Sequence, residues 1–429
     1  YTAFFLDTSS CIYPTFAQIP FDFYSVFSAP LIVCDVCPVS TGILLAFSLP
    51  AVFALWYNKR MKLQHDKKRF TEQLLDWYDQ NARVLPWRED ASPYRVWVSE
   101  IMLQQTRVEA VKPYFERFMK AFPGVRDLAG AEDDHLMKMW EGLGYYNRAR
   151  NLKAAARMVM EEYGGCLPAS FEELIKLPGI GSYTAGAIAS IAFGIPMPAV
   201  DGNVLRVISR VLGDRGDIRK ASVKAGMEQE LKAVMPAGNA SSYNQGLIEI
   251  GALVCIPGGE PRCGECPLAS LCLTRRNGWW KEIPYKSPNK ARKIEEKTVF
   301  IIEYQDKVAI RKRPMNGLLA GLYEFPNACG HPDADAIPSV LGMAPLWIKS
   351  ITPLPAAKHV FSHVEWHMTG YRVVLDEAAA DPLFPGGREE GEGAADETPD
   401  AGWFFVSREL LASSYAIPNA FQAYTALVG

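Results

Sequence analysis

Cys255, Cys263, Cys266 and Cys272 fall in one 18-residue window with the spacing C-x7-C-x2-C-x5-C. The chain holds nine cysteines, so almost half of them are gathered here. A disulfide framework would scatter them in pairs along a short secreted chain. The C-x2-C core suits one tetrahedral metal centre or an iron–sulfur cluster, and spacing does not separate the two. About 75 residues upstream lies Leu177-Pro178-Gly179-Ile180-Gly181. Gly179 and Gly181 free the backbone between two expected helices, so that amide N–H groups at the second helix's start can face a phosphate. Such a hairpin grips DNA without reading its sequence. A plain helical turn is the bland alternative, and the cysteine window nearby favours the DNA reading.

Two carboxylates carry the next layer of chemistry. Glu100 lies in Trp97-Val98-Ser99-Glu100-Ile101-Met102-Leu103-Gln104-Gln105-Thr106, and its helical neighbours are Val96, Trp97 and Leu103. A carboxyl on an apolar face is expected to hold its proton to higher pH, which suits a general acid. Asp201 precedes a helical run in Val200-Asp201-Gly202-Asn203-Val204. It reads as an N-cap or, more sharply, as a carboxylate kept ionised by backbone N–H donors and the helix dipole. Carboxyls of opposite character fit cleavage of an N-glycosidic bond, one protonating the leaving base and the other supporting a cationic sugar.

The elements that must position these groups follow from pattern. At 429 residues, with 49% apolar and 22% charged residues, the chain can build two or three cores. A net charge of −3 excludes a uniformly basic DNA-binding surface and leaves local patches and backbone donors. From Phe70 to about Arg275 the pattern is helical, broken at Pro86, Pro123, Gly142–Gly144, Gly164-Gly165, Pro178–Gly181, Pro196–Pro198 and Pro236. Helices are expected over Phe70–Asn81, over Pro93–Lys120 with a break or kink at Pro113, from a capping box at Ser170, and over Tyr183–Phe193. Residues 276–296 mix prolines with basic side chains and read as a linker. Beyond them β-rich runs begin at Thr298, Lys307 and Tyr371, with a closing helix near Phe421–Leu427. The acidic stretch 385–400 reads as a solvated loop.

Residues 1–58 contain no Lys, Arg, Glu or Met, and Val39–Tyr57 is apolar up to Lys59-Arg60-Met61-Lys62. Taken literally this is a membrane span with a basic flank. Pro50 interrupts it, and residues 1–60 are instead expected to be a non-native upstream extension, with no obligate membrane partner. Cys34-x2-Cys37 lacks a second ligand pair and is not read as a metal site. Cys166 and Cys329 are expected to be lone packing residues.

Together, Leu85-Pro-Trp-Arg88, the block from Pro93-Tyr94 through Glu100 to Thr106, Gly142-Leu-Gly-Tyr-Tyr146, the hairpin, Val200–Asn203 and the cysteine window resemble the endonuclease III superfamily of DNA glycosylases. Within it they are most similar to the MutY family of adenine glycosylases. The resemblance implies a multidomain architecture: an all-α helix-hairpin-helix glycosylase domain over 61–275 with an iron–sulfur cluster loop, and an α+β Nudix-like domain over 297–429. It implies a 4Fe–4S cluster on the four cysteines, Glu100 as acid/base at the adenine, and Asp201 as oxocarbenium stabiliser. Tyr183 and Asn203 belong to the same catalytic set. Arg88, Leu103, Gln105, Tyr145, Gly179 and Gly181 are expected at the DNA, with Gln105 and Tyr145 filling or wedging the duplex when the base flips out. Tyr183 stands where strand-cleaving relatives carry a lysine nucleophile, so a monofunctional enzyme is implied. The first cysteine gap is one residue longer than is usual in the family, an insertion expected at Pro257-Gly258-Gly259.

In the tail, Gly317–Pro326 resembles the entry to a Nudix fold, but no R-E-x-x-E-E helix follows. Pyrophosphohydrolase chemistry is therefore not expected. His359-Val-Phe-Ser-His363 matches a loop that reads 8-oxoguanine, placing Phe361, Ser362 and His363 at the damaged base, with a plain edge hairpin as the alternative. Arg262, Arg275 and Arg276 are expected at phosphates. The implied substrate is duplex DNA with adenine opposite 8-oxoguanine or guanine, bound by a monomer in the cytoplasm on the nucleoid. Another endonuclease III-type mismatch glycosylase and a non-catalytic damaged-DNA-binding protein are the alternatives.

Overall fold

Phe70, Leu74 and Tyr78 recur at i, i+4 and i+8, so the first described helix has one apolar stripe and must lay it on a partner. Repeated, this pattern assembles the helical half of a computed structural model that describes residues 66–376 and 402–428. The upstream apolar run, the Cys34/Cys37 pair and the acidic stretch 385–400 all lie outside the described residues. Among the described residues no helix is long and apolar enough to cross a membrane.

The helices run α1 (Lys67–Asn81), α2 (Pro86–Glu89), α3 (Pro93–Leu103), α4 (Val108–Ala121), α5 (Val125–Ala129), α6 (Asp133–Trp140) and α7 (Asn147–Glu162). They continue with α8 (Phe171–Leu174), α9 (Ser182–Ile191), α10 (Gly202–Leu212), α11 (Ala221–Val234), α12 (Ala240–Glu249) and α13 (Leu273–Asn277). Two apolar clusters result. One gathers α3 to α9 around Trp97, Phe115, Phe118 and Trp140, and the other joins α1 with α10 to α12 around Phe70, Ile208 and Tyr243. α9 and α10 flank the groove between the two clusters, so the hairpin and Asp201 both sit at that seam.

The single helix expected over Pro93–Lys120 is two helices. It breaks at Gln104–Arg107, where Gln105 takes φ +59°, and not at Pro113, which lies inside α4. Pro113 removes only the amide that would have met the Glu109 carbonyl, and the apolar stripe of Val111, Phe115 and Phe118 carries the helix through. Ser170 caps α8 by accepting from the Glu173 amide at 3.4 Å. The return bond of a full capping box is not made, since Glu173 instead meets Tyr163 and Lys176.

The stretch read as a linker is ordered in its first part against the helical half. Arg210 Nε donates to the Ile283 carbonyl at 2.8 Å, Ile283 is buried, and the Ile218 amide donates to the Tyr285 carbonyl. Strands then follow: β1 (Lys293–Tyr304), β2 (Lys307–Lys312), β3 (Tyr323–Glu324), β4 (Asn327–Cys329), β5 (Ile348–Val360), β6 (Val364–Leu375) and β7 (Phe404–Ser407). β1 already begins inside the expected linker. In the sheet order β3-β2-β1-β6-β5, β1 and β6 run parallel and the other pairs antiparallel, with β4 beside β1 and β7 beside β2. Short helices α14 (Ile337–Leu341), α15 (Arg408–Ser413) and α16 (Gln422–Thr425) complete this half. β6 alternates Val364, Trp366 and Met368 inward, against Phe421 and Tyr424. β5 gave no sequence signal because it is largely exposed and carries two prolines, Pro353 and Pro355, beside a register shift. Cys166 and Cys329, expected to be packing residues, are exposed.

Candidate active site

α3 ends and α9 and α10 begin around one cleft of about 570 Å³. Of the residues singled out above, Arg88, Glu100, Leu103, Gln105 and Gly181 line it, as do Tyr183, Asp201 and Asn203. Glu100 faces inward because Trp97, Ile101 and Met102 around it are packed into the core, leaving its carboxyl buried at the cleft wall. Burial pushes that carboxyl up to about 7, against a hydrogen bond from Tyr183 that pulls it down, with Asp201 adding repulsion and Arg88 attraction. Tyr183 Oη donates to Glu100 Oε2 at 2.6 Å, pinning one oxygen, and burial keeps the phenol protonated.

Asp201 caps α10. Oδ1 accepts from the Val204 amide at 2.7 Å and Oδ2 from Asn203 Nδ2 at 2.7 Å. The sequence predicted an Asp201 held ionised by such donors. Burial nevertheless raises its carboxyl above the usual range, and the Val204 and Asn203 donors with Arg206 oppose that rise without cancelling it. Both oxygens accept, which favours the ionised form and leaves lone pairs free toward the cleft.

Arg88, at the cleft wall, is held from behind. Glu249 on α12 is fully buried and pairs with Arg88 at 2.6 Å and with Arg83 at 2.8 Å. Arg83 and Glu249 carried no motif, and a buried ion pair between positions 166 residues apart leaves no local trace in sequence.

A second group missed in sequence organises the rim. Arg148 on α7 is buried and donates to the carbonyls of Ile101, Met102, Gln104, Leu143 and Gly144. It thereby ties the end of α3 to the Gly142–Tyr145 turn. Gln105 and Tyr145, one on each tied loop, both take left-handed φ, +59° and +49°, and both are exposed. Gly142 is required there: its φ is +97°, and a Cβ would lie 2.1 Å from Tyr114 Oη. The hairpin obeys the same logic, with Gly179 at φ +77° and a Cβ that would come 2.7 Å from Asn151 Cβ. Gly179 and Gly181 are exposed, and Gly181 opens α9 in open space.

Tyr145, Gly179, Phe361, Ser362, His363 and the cysteines lie away from the cleft lining. Phe361–His363 forms the tip between β5 and β6, closed by the Phe361 amide on the Val364 carbonyl. It is thus a hairpin end, and Ser362 Oγ lies 3.5 Å from Tyr145 Oη of the helical half.

All four cysteines line a separate cavity of about 250 Å³ below α10. Burial raises the thiols of Cys263, Cys266 and Cys272, that of Cys266 to about 12, and neighbouring cysteines add to the rise of these three. Such thiols become good ligands only when a metal displaces their protons. Among the described residues no three His, Cys, Asp or Glu side chains are grouped as ligands of a single ion. What the thiols share is one cavity lined by all four sulfurs, a donor set that fits a thiolate-held metal group. Gly258, in the lengthened loop, turns at φ +73°. Arg210 donates to Cys255 Sγ at 3.3 Å, and Arg262, Arg275 and Arg276 are exposed around the loop.

Family models agree with this division. Residues 98–233 match the HhH-GPD superfamily base excision DNA repair proteins, and residues 298–427 match a NUDIX domain. The adenine DNA glycosylase of Buchnera aphidicola (Schizaphis graminum) is 38% identical over 60% of this chain and 74% of its own length. That of Mus musculus is 35% identical over 75% of this chain and 74% of its own. A solved thermostable thymine-DNA glycosylase covers 50% of the chain and 98% of its own at 28% identity and a TM-score of 0.45. A buried acid beside a partnered carboxylate, on a base excision repair scaffold with relatives of this identity and coverage, places the chain in the adenine DNA glycosylase family of DNA base excision enzymes.

Proposed function

We propose that the protein removes adenine lying opposite 8-oxoguanine, and opposite guanine, in duplex DNA, and leaves the strand intact. The observation that carries the mechanism is two buried carboxyls in one cleft with different partners, Glu100 accepting from Tyr183 and Asp201 from the Val204 amide and Asn203. Glu100, held up to about 7 by burial, keeps a proton near neutrality that Asp201 repulsion helps retain. Tyr183 fixes one Glu100 oxygen, so the other is free to protonate a ring nitrogen of the flipped adenine. Protonation matters because an adenine anion is a poor leaving group. As the glycosidic bond lengthens, positive charge grows on the sugar, and Asp201, oriented by Val204 and Asn203, supports it. Water then completes the abasic site, with Glu100, now a carboxylate, able to take its proton. A tyrosine at position 183 supplies no amine for a Schiff base, which supports hydrolysis without strand cleavage.

Gln105 and Tyr145, each on a loop tied by Arg148, fill the space the flipped base vacates. Phe361, Ser362 and His363 read the opposite base, and Gly179 and Gly181 hold the backbone. Cys255, Cys263, Cys266 and Cys272 would hold a 4Fe–4S cluster. Bound there, such a cluster would order the 255–277 segment, and Arg262, Arg275 and Arg276 would meet phosphates, since hydrolysis transfers no electron. The protein acts as a monomer on chromosomal DNA in the cytoplasm.

The test is single-turnover adenine release from a duplex with one adenine opposite 8-oxoguanine, beside Glu100→Gln and Asp201→Asn. Release abolished by both changes, with breaks only after alkali, supports the proposal. Tight binding without release leaves a damage-binding protein instead.

A further inference from the structure

Asp134, Lys138, Glu141 and Tyr145 recur at helical spacing along α6 and into the turn beyond it, so they mark one stripe. Every one of them meets the C-terminal half. Asp134 uses both oxygens, accepting from Lys312 Nζ at 2.8 Å and from Tyr323 Oη at 2.7 Å. Lys138 donates to the Tyr415 carbonyl at 3.0 Å and pairs with Glu141, which accepts the Ile417 amide at 2.8 Å. Asn419 donates to the Gly142 carbonyl at 3.1 Å. Leu322 and Ala416 are buried in the same apolar cluster as α6. At its far end the stripe reaches Tyr145, 3.5 Å from Ser362.

This seam is held mainly by directional bonds to named atoms, so it fixes register as well as contact. It also runs without interruption from α6 to the two side chains assigned to the wedge and to the opposite base. We propose that the seam sets the height of the Phe361–His363 tip over Tyr145, and that Asp134 and Glu141 are positioning residues for discrimination of the base opposite adenine. The proposal rests on the function given above. A displacement of ~1 Å at a positioned contact can cost on the order of a hundredfold in rate, so a small loss of register at the seam becomes a large loss of discrimination.

The experiment compares the full chain with Asp134→Ala/Glu141→Ala and with Asp134→Asn, whose amide oxygen still accepts from Tyr323. Single-turnover adenine release is measured opposite 8-oxoguanine and opposite guanine, with thermal midpoints alongside. In the double variant the ratio of the two rates falls about fivefold or more, the worth of one or two polar contacts, while release opposite guanine stays within about twofold. Asp134→Asn keeps the ratio. Equal losses on both duplexes, or an unchanged ratio, overturn the proposal. Should the double variant not fold, Tyr323→Phe, which deletes one seam hydroxyl, carries the same comparison. If the wild-type chain releases no adenine, the proposed function fails, and the ratio is read from equilibrium binding to the two duplexes. An unchanged binding ratio then overturns the seam on its own.

Discussion

Glu100→Gln is expected to inactivate the enzyme and to stabilise it, and the stabilisation depends on pH. In the folded chain the Glu100 carboxyl titrates at about 7 against an ordinary 4.5, because burial disfavours its charge. Folding is therefore helped by the protonated form. That help is complete below pH 4.5 and is lost as pH rises through about 7. The gap corresponds to about 3 kcal/mol at 1.36 kcal/mol per pH unit, of which about 2 kcal/mol disappears between pH 5.5 and 8.5. Glutamine has no charge to bury and can still accept from Tyr183, so the variant escapes this loss. The measurement is the thermal midpoint of both proteins at pH 5.5 and 8.5. The variant's advantage should grow by about 4–8 °C at the higher pH, at ~2–4 °C per kcal/mol for a domain of this size. An advantage that does not change with pH, or that shrinks, refutes a carboxyl raised by burial and with it the acid role.

Single-turnover release should fall about tenfold per pH unit above about 7, where Glu100 loses its proton, and a flat profile over pH 6–9 would assign the acid elsewhere. Arg148→Met removes the donor shared by five backbone carbonyls, so the helical domain should lose on the order of 3 kcal/mol and duplex binding should weaken with it. Denaturant midpoints and a binding titration check both effects. Glu249→Gln leaves the half-buried Arg83 and Arg88 against a neutral partner and should cost about 2 kcal/mol, read by the same unfolding measurement. Cys272→Ser should abolish stoichiometric iron and make residues 255–277 protease-sensitive, and iron analysis with limited proteolysis decides it.

The chemistry of this protein was legible wherever a residue type and its neighbours carry it locally. Glu100 on an apolar helix face already implied a raised carboxyl, and Gly142, Gly144 and Gly179 marked turns because their left-handed backbone favours glycine. The four cysteines announced a shared site through spacing alone. Position along the chain could not show what pairs across it. Glu249 with Arg83, and Arg148 with its five carbonyls, carried no signal in sequence, because their partners come together only on packing. The same holds for Asp201: its cap was readable from Asp-Gly-Asn, but the burial that lifts its carboxyl comes from the closed cleft. β5 escaped notice since an exposed strand with prolines has no alternation, and only pairing with β6 makes it a strand. Local sequence thus determined which groups could act, through propensity and side-chain chemistry. Tertiary structure decided their protonation, orientation and partners, because desolvation and long-range hydrogen bonds exist only once distant segments exclude water together.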